Sequence, residues 1–154
     1  MVDDQIIAQW KVEEKEPFEG WGFSHLIGRR IEEIPHISYM DKARELIMSS
    51  SSVLDIGTGG GEIFQKFKDI LPEKAIATEG YLPNLELSRR ILSPLGIEVV
   101  YADDSLTAEL PFPDGSFDLV LSRHSAYNIA EVCRILKPDG IFFTRQVEGT
   151  SERE

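Results

Sequence analysis

The chain has 154 residues, 42% hydrophobic and 28% charged, which suits one globular domain with a real core and leaves little room for a second. Lysine plus arginine is 16 against 27 for aspartate plus glutamate, a net charge of −11. An acidic surface repels phosphate backbones, which argues against nucleic acid as a partner.

Residues 1–50 read as an N-terminal arm and a helix packing on the core, and 51–154 as the core itself, in one structural domain. The segment 10–36 is rich in Trp, Phe, Gly and Pro and reads as an arm or lid without regular structure. "SYMDKARELIMSS" then places Tyr39, Ala43, Leu46 and Ile47 on one helical face, with Ser38 as N-cap. From residue 52 the periods alternate. "SVLDIG" reads as a buried strand, "EIFQKFKDI" as a helix and "KAIATE" as a strand. "PNLELSRRILSPLG" reads as a helix stopped by Pro94 and Gly96, followed by a strand at "IEVVYAD". After a turn at "PFPDGS" come a strand at "FDLVLSR", a helix at "SAYNIAEVCRILKPDG" with a Pro-Asp-Gly turn, and a last strand at "IFFTRQV". This alternation of helices with near-continuous apolar strands predicts an α/β fold: a doubly wound, mostly parallel sheet in three α/β/α layers. Right-handed crossovers put the carboxyl ends of the strands on one edge, where ligands bind.

One cysteine, Cys133, excludes an intrachain disulfide and a cysteine metal cluster. It falls on a helical stripe with Ile129 and Leu136 and reads as a buried, inert thiol. The three histidines have no metal-ligand spacing, so no metal site is expected. No apolar run approaches the roughly 18 residues of a membrane span. The acidic start "MVDDQIIAQW" lacks a signal peptide's basic beginning and apolar middle, so the expected setting is cytoplasmic, away from membranes.

The informative stretch is "VLDIGTGGGE", with Gly57, Gly59, Gly60 and Gly61 at the end of the first strand. Glycine permits positive φ and close approach of backbone to a ligand. The amides that follow are free to face an electron-rich group. The dinucleotide fingerprint G-x-G-x-x-G does not fit: from Gly57 its third glycine falls on Glu62, and from Gly59 on Phe64. What fits is D-x-G-x-G-x-G, headed by Asp55.

In that motif the chain resembles the class I S-adenosylmethionine-dependent methyltransferases. The resemblance runs from about residue 50 to 147, with "LPFPDGSFDLVLS" and "AEVCRILKPDGIFF" similar to later motifs of the family. It implies that Asp55, Gly57, Thr58, Gly59 and Gly61 form the loop at the methionine end of the cofactor. It also implies that Glu79, with Gly80 after it, holds the ribose hydroxyls. A carboxylate accepts two hydroxyl donors, which suits a vicinal diol, although an acidic residue there serves nicotinamide cofactors too. Asp103 or Asp104 in "YADDSL" stands where the family has an aspartate near the adenine amine; about two extra residues leave that choice open. The implied function is S-adenosylmethionine-dependent methyl transfer to a small-molecule acceptor, of the kind that quinone and sterol enzymes take, with S-adenosylhomocysteine as product. The alternative is a module that binds the cofactor without methylating anything.

Methyl transfer from a sulfonium asks the protein mainly to align two reactants and exclude water. A general base is needed only for a protonated hydroxyl, an amine or a carbon acid. The resemblance directs attention to "SRHSAY" after the fourth strand: Arg123 to bind an acidic group, His124 as base, against a reading of Arg123 as an ion-pair partner and His124 as a surface or capping residue. In the arm, Trp21 and Phe23 are candidates to pack on acceptor or sulfonium, and Arg29 or Arg30 to meet the cofactor's carboxylate. Against that stands simple packing of Trp10, Trp21 and Phe23 on the sheet, and of His25 and His36 within the arm. The antiparallel hairpin usual after the fifth strand is absent here, so the chain is either a truncated piece or a compact variant. "IFFTRQV" then becomes an apolar edge strand, and a homodimer or the arm is expected to cover 141–147.

Overall fold

The computed structural model describes residues 4–13, 38–103 and 105–146. The arm beyond residue 13, with Trp21, Phe23, His25, Arg29, Arg30 and His36, lies outside these, as do Asp104 and Val147. Helix α1 spans Asp4–Glu13, so the start of the expected irregular arm is helical. Its side chains from Gln5 to Val12 are exposed, and Trp10, at 57% exposure, does not cap the sheet.

Helix α2 is Tyr39–Met48, and Ser38 caps it as expected, its hydroxyl accepting from the Asp41 amide at 3.3 Å. Tyr39, Ala43 and Ile47 are buried. Five strands follow: β1 (Ser52–Ile56), β2 (Lys74–Glu79), β3 (Glu98–Tyr101), β4 (Phe117–Arg123) and β5 (Leu136–Arg145). Their order is β3-β2-β1-β4-β5 and every ladder is parallel. Helix α3 (Leu82–Leu92) connects β2 to β3 and ends in a 3₁₀ turn, Ser93–Leu95, closed by Gly96 at φ 79. Helix α4 (Ile129–Ile135) connects β4 to β5.

The period-two alternation of the strands divides the core into two layers. Val53, Ala75, Ala77, Val99, Leu119 and Leu121 pack with Tyr39, Ala43 and Ile47 of α2, Leu85 and Leu92 of α3, and Phe64 and Phe67. Leu54, Ile56 and Val120 pack with Val132 and Ile135 of α4. The doubly wound, three-layer fold is thus observed, with β1 buried on both faces at its centre. At the far edge from the strand carboxyl ends, Asp118 ties three strands together. Its Oδ2 accepts from Ser52 Oγ at 2.7 Å and the Ser51 amide at 3.1 Å, and its Oδ1 from Lys137 Nζ at 3.0 Å. The Ser52 bond first, then the Lys137 bond, hold its carboxyl below the usual carboxylate range.

Three local expectations are corrected. "EIFQKFKDI" is not an α-helix but turns around a 3₁₀ segment, Phe64–Phe67. Three residues per turn stack positions i and i+3, and Phe64 and Phe67, each 1% exposed, both reach the core that way. The next helix is shorter than the sequence suggests. Asn128 starts α4 by accepting from the Ala130 amide, and at its other end Leu136 already pairs with Phe117. The Pro-Asp-Gly turn survives as an irregularity inside β5, with Asp139 at φ 65. The short α4 buries Val132 and Ile135, so Cys133 is exposed, and Ile129 is 57% exposed. Strand β5 forms one edge of the sheet, pairing only with β4 among the described residues. Among those residues no helix is long and apolar enough to cross a membrane.

Replacing Phe67 by alanine leaves a cavity between the sheet and α2. Chemical denaturation should show a loss of about 3–5 kcal/mol, whereas Cys133→Ala at the exposed α4 position should change stability by no more than about 0.5 kcal/mol.

Candidate functional site

The parallel topology brings the carboxyl ends of β1, β2 and β4 side by side, and the chain leaves β1 through the glycine corner. Gly57, Gly59 and Gly61 have φ of 65, 64 and 88°. These are the three glycines of the D-x-G-x-G-x-G pattern, so the spacing records a backbone that turns left-handed at every second residue. Space is restrictive as well: a Cβ on Gly57 would collide with the Ser125 side chain, and one on Gly61 would stand 2.8 Å from Leu92 Cγ.

Two bonds fasten this corner to β2. The Thr58 amide donates to Thr78 O at 2.9 Å. The Gly59 amide donates to Glu79 Oε2 at 2.7 Å. The other Glu79 oxygen accepts from the Tyr81 amide at 2.9 Å. Glu79 is 6% exposed, at the end of β2 where the sequence places it. Gly80, next to it, is half-buried.

Beneath the corner lies a small cavity lined by Tyr39, Asp55, Gly57, Thr58, Ile63, Phe64, Phe67, Leu121 and Arg123. Its internal room, about 20 Å³, is that of roughly one water molecule. Asp55 supplies its carboxylate. Burial pushes that carboxyl up to about 7, the neighbouring Thr58 hydroxyl and then the Arg123 charge oppose the rise, and Glu79 adds to it. Thr58 Oγ1 is itself buried, beside Asp55. Burial also raises the Tyr39 hydroxyl above the ordinary tyrosine range. The Tyr39 ring stacks on Phe143 with centroids 5.0 Å apart.

The remaining sequence candidates divide. Arg123, half-buried at the end of β4, shares the cavity with Asp55. His124, one residue on, does not line it; the side chain is exposed, and the backbone, at φ 59, donates to Arg145 O at 2.9 Å. Asp103 is exposed beyond β3, with Oδ1 accepting from the Ser105 amide at 2.7 Å. The loop after it is anchored by Arg134 of α4. That guanidinium donates to Leu110 O and Phe112 O at 3.0 and 2.7 Å and to both Glu131 oxygens. The Arg134 bonds first, then the Leu110 amide, hold Glu131 down at about 2.

Sequence reasoning missed Tyr39, Phe64, Phe67 and Leu121 as cavity walls, because each also satisfies a core pattern. It missed Ser125 for want of any signal: its contact with Gly57 crosses from one strand end to another.

A doubly wound parallel sheet, a left-handed glycine corner after its central strand and a carboxylate at the end of the next strand define a Rossmann-like nucleoside-cofactor domain. Residues 54–144 match the family model described as a methyltransferase domain. This chain belongs to the class I S-adenosylmethionine-dependent methyltransferase family. It is 33% identical over 97 residues to the uncharacterized methyltransferase YcgJ of Bacillus subtilis, covering 58% of this chain and 38% of that protein. The crystal structure of YcgJ superposes with a TM-score of 0.57 at 25% identity, over 68% of this chain and 48% of that one. A demethylmenaquinone methyltransferase of Thermus thermophilus is 32% identical over 96 residues, 57% of this chain and 43% of its own length. An arginine-hydroxylase of Rattus norvegicus, NDUFAF5, is 28% identical over 140 residues, 86% of this chain and 37% of its own. The chain thus spans about two-fifths of the length of these curated relatives.

Because folding holds the Asp55 proton to about pH 7 while the unfolded chain releases it near 3.8, the native state binds more protons between those values. This contribution to stability therefore falls as pH rises from about 4 to 7 and levels off above. Asp55→Asn, which cannot ionise, should melt above wild type at pH 8, with the difference shrinking as pH falls toward 4. Thermal denaturation at the two pH values checks this.

Proposed function

We propose that this domain binds S-adenosylmethionine at the glycine corner and transfers its methyl group to a small-molecule acceptor. The observation that carries the reading is the run of three left-handed glycines between Asp55 and the Glu79 carboxylate on one sheet edge. The residues suit the group. Asp55 offers a carboxylate to an α-ammonium, and a cation beside it would favour its charged form. The Glu79 carboxylate can accept a vicinal diol, and the reading assigns the adenine amine to Asp103 or Asp104.

The cofactor supplies an already activated methyl on a sulfonium. The protein's part is alignment and exclusion of water. In this reading Arg123 is the counter-charge for an acidic group of the acceptor and His124, at the rim, the base where the acceptor must lose a proton. The quinone substrate named for the Thermus relative supports a small acceptor, and the net charge of −11 disfavours nucleic acid. A cytoplasmic setting goes with this reading. A second copy pairing along 141–147 is the proposed cover for the β5 edge. Rapid hydrogen exchange along that strand together with a monomeric scattering profile would contradict the pairing.

Calorimetry should show binding of S-adenosylhomocysteine to the wild type and at least about tenfold weaker binding to Glu79→Ala. No binding, or equal binding by both, would overturn the reading. The hydroxylase among the relatives keeps a second reading in play, a cofactor-binding domain that transfers no methyl. Binding without methyl transfer across an acceptor panel, in the full-length protein, would favour it.

A further inference from the structure

We propose that Glu79 plays a second role, as a positioning residue that presets the glycine corner in the shape that receives the amino-acid end of the cofactor. This rests on the functional reading above and adds to it a mechanical coupling between the two ends of the site. The Gly59 amide, the middle one of the three left-handed glycines, donates to Glu79 Oε2 at 2.7 Å across 20 residues of sequence. Just before it, the Thr58 amide donates to Thr78 O. The corner is therefore pinned to β2 at two successive residues, once through backbone and once through the Glu79 side chain.

A glycine-rich loop loses more conformational freedom on ordering than any other. A bond to an ionised acceptor is about twice as strong as one between neutral groups. The charged bond at Gly59 thus falls where the backbone most needs holding. The second oxygen, accepting from the Tyr81 amide at 2.9 Å, fixes the carboxylate in its own plane. A carboxylate offers about four acceptor positions, and one amide on each oxygen does not exhaust them. Positioning the loop and holding a diol are therefore compatible.

Glutamine at 79 keeps the shape but has one acceptor oxygen, so it must aim its NH₂ group at one of the two amides. Two measurements separate the roles. The first compares S-adenosylhomocysteine with 5′-methylthioadenosine, which keeps the nucleoside and thioether but lacks the amino-acid end. Glu79→Gln should weaken S-adenosylhomocysteine at least about tenfold more than 5′-methylthioadenosine. The second is native-state hydrogen exchange of the Gly59 amide in the protein alone, which should accelerate at least about tenfold in the variant. Equal weakening of both ligands, or unchanged Gly59 exchange, would overturn the proposal. If neither ligand binds the wild type, the cofactor reading fails and the exchange rate alone decides the positioning role. Should the glutamine variant not fold, Glu79→Asp, which keeps the charge and shortens the reach, gives the same two readouts with the same outcomes decisive.

Discussion

The 2.7 Å bond from the Gly59 amide to Glu79 is the point on which the upper edge of this sheet turns. It joins the loop leaving β1 to the end of β2. The β1–β2 ladder, with Ile56 opposite Thr78, makes that reach possible by carrying β2 one residue past the end of β1, to Glu79. A register slip of one residue would carry Glu79 to the opposite face of the sheet and leave Gly59 without its acceptor. The site's geometry is therefore a consequence of strand pairing, which in turn is fixed by which side chains of β1 and β2 must be buried.

Burial on both faces also explains the character of the cavity. β1 is flanked by β2 and β4 and covered above and below, so the Asp55 carboxylate near its end is largely withdrawn from water. Asp55 escapes only partly, with Arg123 near enough to stabilise its charge. Such a group responds to charges brought to it. The aromatic walls, Tyr39, Phe64 and Phe67, belong at once to the core and to the cavity.

Much of this was legible in the sequence. β1, β2 and β4 fall within a residue of their apolar runs because central parallel strands are apolar throughout. Asp55, the glycines and Glu79 fall at the ends of β1 and β2, where the sequence puts them. The parts that were not legible are those set by contacts distant in sequence. The 3₁₀ segment at Phe64–Phe67 mimics helical periodicity, since i and i+3 share a face in both forms. The length of α4 and the exposure of Cys133 depended on where β5 begins, and Leu136 was claimed by the ladder with Phe117. The left-handed backbone of His124 goes with its bond to Arg145 across the end of β4 and β5, a contact no local pattern announces.

The central claim is that the glycine corner and Glu79 together receive S-adenosylmethionine. Amide chemical shifts followed while S-adenosylhomocysteine is titrated into the labelled protein test it most directly. The amides of Gly57, Thr58, Gly59, Gly61 and Tyr81 should move together and saturably, and NAD should leave them in place. Shifts confined to the opposite edge around Lys74 and Glu98, or none at all, would contradict it.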